Sequence, residues 1–240
     1  AKPDRKVFHN VMIAWKESDD RNAYLRIEEL LQQMQVEHNS RGWDTMPNQA
    51  SYLIPLKALA KLGTPWAAER AENVLNFMNN AGLRPDAYCY GIVVHAWSQC
   101  NPADAVRAQK VVDDMLHRYD LGERHLLPHL YCYGNLLKAW QRSSLPEAGH
   151  RAYDAWKLMF ERHNANPDEP APGVWHTTTV LDTFANLGDV DNAQMMFDLL
   201  TIPPQRPHFN QLLKAYARSN LNDAVEKAAS LMQDMKLKHS

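Results

Sequence analysis

Six times along this 240-residue chain an aromatic or similar residue is followed, seven positions later, by a bulky apolar one. The pairs are Phe8/Trp15, Tyr52/Leu59, Tyr90/Trp97, Tyr133/Trp140, Thr177/Phe184 and Phe209/Tyr216. In five of them alanine precedes the second member (Ala14, Ala58, Ala96, Ala139, Ala215), and in the other Thr183 does. A second series with the same spacing interleaves with the first: Ile27/Met34, Ala71/Met78, Ala108/Met115, Ala152/Met159, Ala193/Leu200 and Ala228/Met235. Seven residues is two helical turns to within about 20°, so each pair marks one face of one helix. The alternation calls for twelve helices in six pairs. No such pair buries its apolar face alone; each leans on its neighbours.

Composition allows this architecture. Apolar classes make up 45% of the chain and charged residues 22%, enough to fill a continuous core and unlike a disordered segment. The formal net charge of −2 argues against a general polyanion binder unless the charges are segregated. Three cysteines, Cys89, Cys100 and Cys132, show no close CxxC spacing. Cys89 and Cys132 each precede a tyrosine of the first series, so they read as reduced thiols at equivalent packed positions. No apolar run approaches the roughly 18 residues of a membrane span. The chain opens on Ala1 inside the repeat rhythm and is read as a piece of a longer protein.

Proline punctuates the boundaries, at Pro3-Asp4, Pro47-Asn48, Pro85-Asp86, Pro128-His129, Pro172-Gly173 and Pro204-Gln205. Proline cannot continue the preceding helix, and Asp or Asn after it caps the next one well. Asp4, Asn48 and Asp86 are therefore cap candidates, with His129 and Gln205 poorer ones. Thr64-Pro65 and Asn101-Pro102 read as starts of second helices, and Gly63 and Gly188 as turns. The expected repeats are about 5–48, 49–86, 87–129, 130–173, 174–205 and 206–240, in one array over residues 1–240. Helix pairs are expected near 6–35, 49–81, 87–118, 130–162, 175–201 and 207–238. Loops such as Arg162 to Pro172 are expected at the edge of the stack, where added length costs little.

Helix-turn-helix units of this length, opening with an aromatic and closing in methionine, glycine and Pro-Asp, resemble the pentatricopeptide repeat. The clearest copy is Tyr52 to Asp86, ending Met78-Asn79-Asn80-Ala81-Gly82-Leu83-Arg84-Pro85-Asp86. Leu187-Gly188-Asp189-Val190-Asp191-Asn192-Ala193 is similar to the family's inter-helix turn. The competing tetratricopeptide repeat wants a W-x2-LG-x2-Y opening, which is missing. The resemblance implies an all-α, right-handed superhelical solenoid of about six antiparallel helix pairs, binding single-stranded RNA at about one base per repeat. It also implies an organellar setting, mitochondrial or plastid. The base-reading positions it carries over are the residue after the opening aromatic and the last residue of the repeat. The polar residues there are His9, Thr178 and Asn210 on one side and Asn48, Asp86, His129 and Gln205 on the other. Gly91, Gly134 and Gly173 have no side chain to read with and Leu53 no polar atom, so the middle is expected to show little base preference. The positions that flank a base hold Lys6, Ala50, Tyr88, Tyr131, Trp175 and Pro207. Of these Tyr88, Tyr131 and Trp175 are candidates for stacking on any base, or for packing between adjacent first helices.

Charge placement adds to this reading. Lys57/Lys61, Lys138/Arg142 and Lys214/Arg218 recur four apart in first helices, hence on one face. They are phosphate-contact candidates on the side that such a solenoid turns inward. Glu17 and Asp182 are the only acids in those helices, and acids concentrate in second helices and loops. The same stripe also reads as an ordinary solvated face. His125 and His129 are four apart but straddle Pro128, which argues against a metal pair. There is no Gly-rich phosphate loop, no nucleophile triad and no zinc pattern. The expectation is a binding protein without cofactor, enzymatic activity, membrane segment or small-molecule substrate. Its leading partner is single-stranded RNA in organellar RNA processing, stability or translation; the alternative is a scaffold for a protein partner.

Overall fold

The computed structural model describes residues 3–18, 20, 22–200, 203–219 and 221–238, without the side chains of 234 and 236–238. Among the described residues there are twelve α-helices and no strand. They are α1 Arg5–Glu17, α2 Ala23–Arg41, α3 Gln49–Lys61, α4 Pro65–Asn80, α5 Ala87–Gln99, α6 Ala105–Asp120, α7 Leu130–Arg142, α8 Ala148–Ala165, α9 Val174–Leu187, α10 Val190–Asp198, α11 Arg206–Arg218 and α12 Ala224–Lys238. A 3-10 turn, Arg124–Leu126, precedes α7. The chain divides into two compact units, Ala1–Cys132 and Tyr133–Ser240, so that the boundary falls inside α7. In the first unit α1 packs on α2 and α3, α3 on α4 and α5, and α5 on α6. In the second, α9 packs on α8, α10 and α11, and α11 on α12.

The caps explain where the helices begin. The side chains of Asp4, Asn48, Thr64 and Asp86 accept from the backbone N–H of Val7, Ser51, Ala67 and Cys89. Each satisfies a donor that the first turn leaves open, worth about 1 kcal/mol. Asn48 and Ser51 cap reciprocally, with Ser51 Oγ accepting from the Asn48 N–H at 3.0 Å. His176 and His208 stand where Ser51 does, and their Nδ1 atoms accept from the N–H of Gly173 and Gln205. The start expected at Asn101-Pro102 is displaced. That bond is cis and lies in the turn, while Asp104 caps α6 through the Arg107 N–H at 2.9 Å.

The two seven-residue series form the core. Ile27, Met34, Ala71, Met78, Ala108, Met115, Ala152, Met159 and Ala193 are buried, as are Tyr90, Trp97, Tyr133, Trp140, Phe184 and Phe209. Each large apolar side chain removed from water contributes about 1.5–3 kcal/mol. The end repeats depart from the pattern for want of a neighbour. Ala14 is exposed and Trp15 half-buried, because α1 is covered only by α2 and α3. Ala228 and Met235 are half-buried. Leu200 is half-buried too, since α10 stops at Asp198, short of the expected 201. Cys89, Cys100 and Cys132 are free and buried, and burial pushes the Cys89 thiol up to about 12.

Two long connections are tied down rather than loose. Arg118 makes two hydrogen bonds to the Glu123 carboxylate, at 2.8 and 2.7 Å, and its remaining nitrogen reaches Asn79 and the Tyr90 hydroxyl. Arg162 grips Glu169 in the same way, at 2.6 and 3.1 Å, and Glu169 is only 5% exposed. Both arginines stand three residues after the methionine that ends the second-helix pair. The short second repeat has Ala81 there, and its connection closes in a tight turn at Gly82 (φ +70°).

Candidate nucleic-acid interface

The start of α1, the connection before α3 and the start of α3 enclose a polar cleft of about 410 Å³ in the first unit. Lys6, His9, Asp44, Asn48 and Ala50 are among its walls. The two reading candidates of the first repeat, His9 and Asn48, thus face one space, flanked by the two residues, Lys6 and Ala50, that should bracket a base. His9 Nε2 lies 2.8 Å from Ser51 Oγ. Burial, and secondarily the charge of Arg5, lowers the His9 pKa, which keeps the ring neutral near pH 7. Asn48 Oδ1 accepts from both the N–H and the hydroxyl of Ser51, at 3.1 Å each. Its amide nitrogen remains a donor toward the cleft. Arg5 holds the rim, with Nε on Met46 O at 2.8 Å and Nη2 on Asp44 at 3.1 Å. Asp86, the reading candidate of the second repeat, is likewise a cap, with Oδ1 taken by the Cys89 N–H at 3.0 Å.

Further along the first unit the structure assembles rings. Tyr88 and Tyr131, each 39% exposed, lie with centroids 5.7 Å apart and planes tilted by 38°. His129 sits 6.4 and 6.1 Å from them, and His95 is 6.1 Å from Tyr131. Lys57 Nζ lies 5.1 Å from the centre of the Tyr88 ring, a cation–π contact. A base inserted between parallel rings needs about 7 Å, twice the optimal carbon–carbon separation. No base fits between Tyr88 and Tyr131 as they stand. His129, expected as a reader, is half-buried in this cluster, and burial lowers its pKa.

The second unit carries the remaining candidates. Trp175 is 53% exposed, with His176 edge-on at 5.3 Å. Thr178 is half-buried and its hydroxyl donates back to Val174 O at 2.6 Å, leaving the oxygen lone pairs as its free capacity. Gln205 and Asn210 are exposed. Lys138 is half-buried beside the exposed Arg142, while Arg218 donates to Asn186 Oδ1 at 2.8 Å.

The basic stripe is not six independent cations. Lys61 bonds Glu17 at 2.8 Å and the Lys16 carbonyl at 3.2 Å. Lys16 and, next, Lys61 hold the Glu17 carboxyl down at about 2. Lys214 pairs with Asp182, which also accepts from Gln141. Both acids of the first helices are thus matched to a stripe lysine of the next repeat. Sequence reading named Lys61, Glu17, Lys214 and Asp182 but not these pairings, which join positions in different repeats. A larger cavity, about 440 Å³, lies between α2 and α4 over Tyr52 and Pro55, with Arg70 and Glu28 paired in its wall.

Helix pairs with a repeated core, in which Asn48 and Asp86 close one repeat and cap the first helix of the next, define an all-α helical-repeat fold. A solved pentatricopeptide repeat structure shares that fold. The crystal structure of the pentatricopeptide repeat protein PPR10 from maize is similar to this chain with a TM-score of 0.57 and 21% identity, over 98% of this chain and 29% of that one. PPR10 in complex with an 18-nt psaJ RNA element gives 0.46 and 21%, over 98% and 34%. The chain therefore spans about 29% of the length of the maize protein's chain. No protein-family model and no curated protein matches it.

Proposed function

We propose that this chain binds single-stranded RNA on the face formed by the starts and basic stripe of its first helices, and acts by occupancy rather than catalysis. The observation that carries the reading is the cleft shared by His9, Asn48, Lys6 and Ala50. It offers a neutral imidazole and a free amide for a base edge, with a lysine beside them for a phosphate. The exposed rings of Tyr88, Tyr131 and Trp175 supply stacking that tolerates any base. Lys57, Lys138, Arg142 and Arg218 add positive charge to this face. Base preference is expected from Asn48 and His9 at one end and from Thr178, Gln205 and Asn210 at the other, with Asp86 and His129 contributing less because they are engaged as cap and ring partner. Residues 1–240 form one functional array of six repeats in this reading. The setting carried by the family resemblance is organellar RNA processing, stability or translation, in a mitochondrion or plastid.

The test is a titration of single-stranded RNA across salt concentration. Four phosphate contacts would give a log–log slope near −3, at about −0.7 per phosphate. Replacing Lys138 and Arg142 with glutamate should weaken binding far more than replacing Lys110 and Lys157 of second helices. A protein scaffold predicts weak RNA binding and identical behaviour of the two pairs of variants.

A further inference from the structure

The cavity of about 440 Å³ between α2 and α4 has a counterpart in the next repeat that is filled. There the Tyr90 ring is only 1% exposed. Arg118 and Asn79 donate to its hydroxyl, which donates in turn to Asp114 Oδ2 at 3.4 Å. Counted from the buried methionines Met78 and Met115, the second repeat has Ala81 where Arg118 stands and Phe77 where Asp114 stands. Alanine does not reach where the arginine reaches, and Tyr52 stays half-buried. The other ring-bearing openers, Phe8, Tyr90, Tyr133 and Phe209, are at most 5% exposed. The open place has also changed its chemistry. In the third repeat Glu123 and Asp114 balance the Arg118 guanidinium. Over Tyr52 lie Phe77, with ring centroids 5.4 Å apart, Leu31 and Val74. A space that takes a cation in one repeat takes an apolar group in the other.

The cavity lies in a groove about three helical turns long. Tyr24, Glu28, Leu31 and Gln35 share one face of α2, and Trp66, Arg70, Val74 and Phe77 share one face of α4. Arg70 ties the two helices together at one end, bonding Glu28 and donating to the Tyr24 hydroxyl at 2.9 Å. Trp66 packs edge-on against Tyr24 at 5.9 Å. Trp66 and Phe77 are 55% and 53% exposed. They stand about 16 Å apart along α4, at 1.5 Å per residue. Together α2 and α4 carry five carboxylates against three arginines, with no lysine. This surface repels phosphates, and none of its residues is a candidate RNA contact.

We propose that this groove docks a basic, amphipathic helix of another protein, with one aromatic side chain seated on Tyr52 between Leu31 and Phe77. A helix laid along a groove presents residues at i, i+4, i+7 and i+11, which spans the distance from Trp66 to Phe77. The cavity volume falls in the roughly 300–1,000 Å³ range of pockets that bury a whole ligand, room enough for an aromatic side chain. Exposed aromatic residues beside such a pocket anchor protein contacts, and a polar rim excludes water around them. The surplus carboxylates, with Glu69 exposed among them, select lysine or arginine at the partner's rim. The site is separate from the RNA face and stands without it.

The experiment selects phage-displayed random peptides of about 16 residues, some four helical turns, against the full chain. Selected peptides should carry an aromatic residue one or two turns from lysines or arginines. The tightest of them, synthesised and labelled, is then titrated by fluorescence anisotropy. Phe77→Asp with Ala81→Arg, which installs the side chains of the third repeat, should weaken it about 30-fold or more. Glu69→Lys should weaken it a few-fold at low salt. Lys138→Glu with Arg142→Glu should leave peptide binding unchanged. Helix content and melting temperature check each fold, and Phe77→Ala serves where the double variant fails to fold. A selection that returns no binder, binders without an aromatic anchor, or binders indifferent to the Phe77 variants overturn the proposal. Loss of single-stranded RNA binding in a folded Phe77 variant overturns it too, because the groove would then belong to nucleic acid.

Discussion

Neutralising Asp182 should strengthen RNA binding. Asp182 is the one acid in α7, α9 and α11, and its carboxylate is 16% exposed between Lys214 and Gln141. Asp182→Asn keeps the shape and one carbonyl oxygen for Gln141, but removes the charge that holds Lys214. Lys214 is 34% exposed, so its ammonium is free to turn to a phosphate once released. One added phosphate contact steepens the log–log salt slope by about 0.7 and raises affinity about fivefold at 0.1 M salt. Glu17→Gln should do the same for Lys61 in the other unit, and the two changes should add because they share no partner. Anisotropy titrations of a labelled single strand at four salt concentrations give both quantities. An Asp182→Asn chain with unchanged slope, or with weaker binding, would refute the claim that this face meets phosphates. A simple loss of fold is separated from that result by helix content and melting temperature.

The remaining predictions concern stability. Trp97 is buried, donates to Glu72 at 3.1 Å and lies under Arg107, so Trp97→Ala should cost about 3–5 kcal/mol and open the first unit first by hydrogen exchange. His208 is buried and caps α11 through an unprotonated Nδ1, and burial lowers its pKa below 6.5. The unfolded chain then binds the proton more readily; the stabilisation is complete above about pH 6.5 and fades as pH falls toward the folded value. His208→Ser, the residue found at the equivalent Ser51, should flatten that acid limb in a denaturant series against pH. Arg162→Ala should cost about 3–5 kcal/mol because it strands the buried Glu169, and Arg162→Ala with Glu169→Gln should recover part of it.

The helices were legible because their cause is local and repeated. Seven-residue spacings specify which face is apolar, and a capping side chain after proline specifies the start, so the pairs fall within three residues of expectation except at α2, which runs six residues past it to Arg41. Misjudgements came where a local signal had a rival nearby. Asn101-Pro102 looks like a cap but yields to Asp104 three residues on, and the short α10 leaves Leu200 outside its helix. The Arg118 and Arg162 anchors had a signal, the same offset from methionine, that becomes meaningful only beside the lengths of the connections.

The sequence names the candidate interface as a set of residues and not as an arrangement, because the side chains that pair there sit one repeat apart. Glu17 and Lys61 are 44 residues apart, and Asp182 and Lys214 are 32 apart. Counting lysines along a helix face therefore overstates the charge that a ligand meets. The glycines show the same gap from the other side. Read singly, Gly91 and Gly134 mark repeats that have lost their readers. Read with Tyr131 and Trp175 resting on them, they mark places that a ring of the next repeat already fills. In a stacked array each surface position is built from two repeats, so a small residue reports absence only when the residue that covers it is also known.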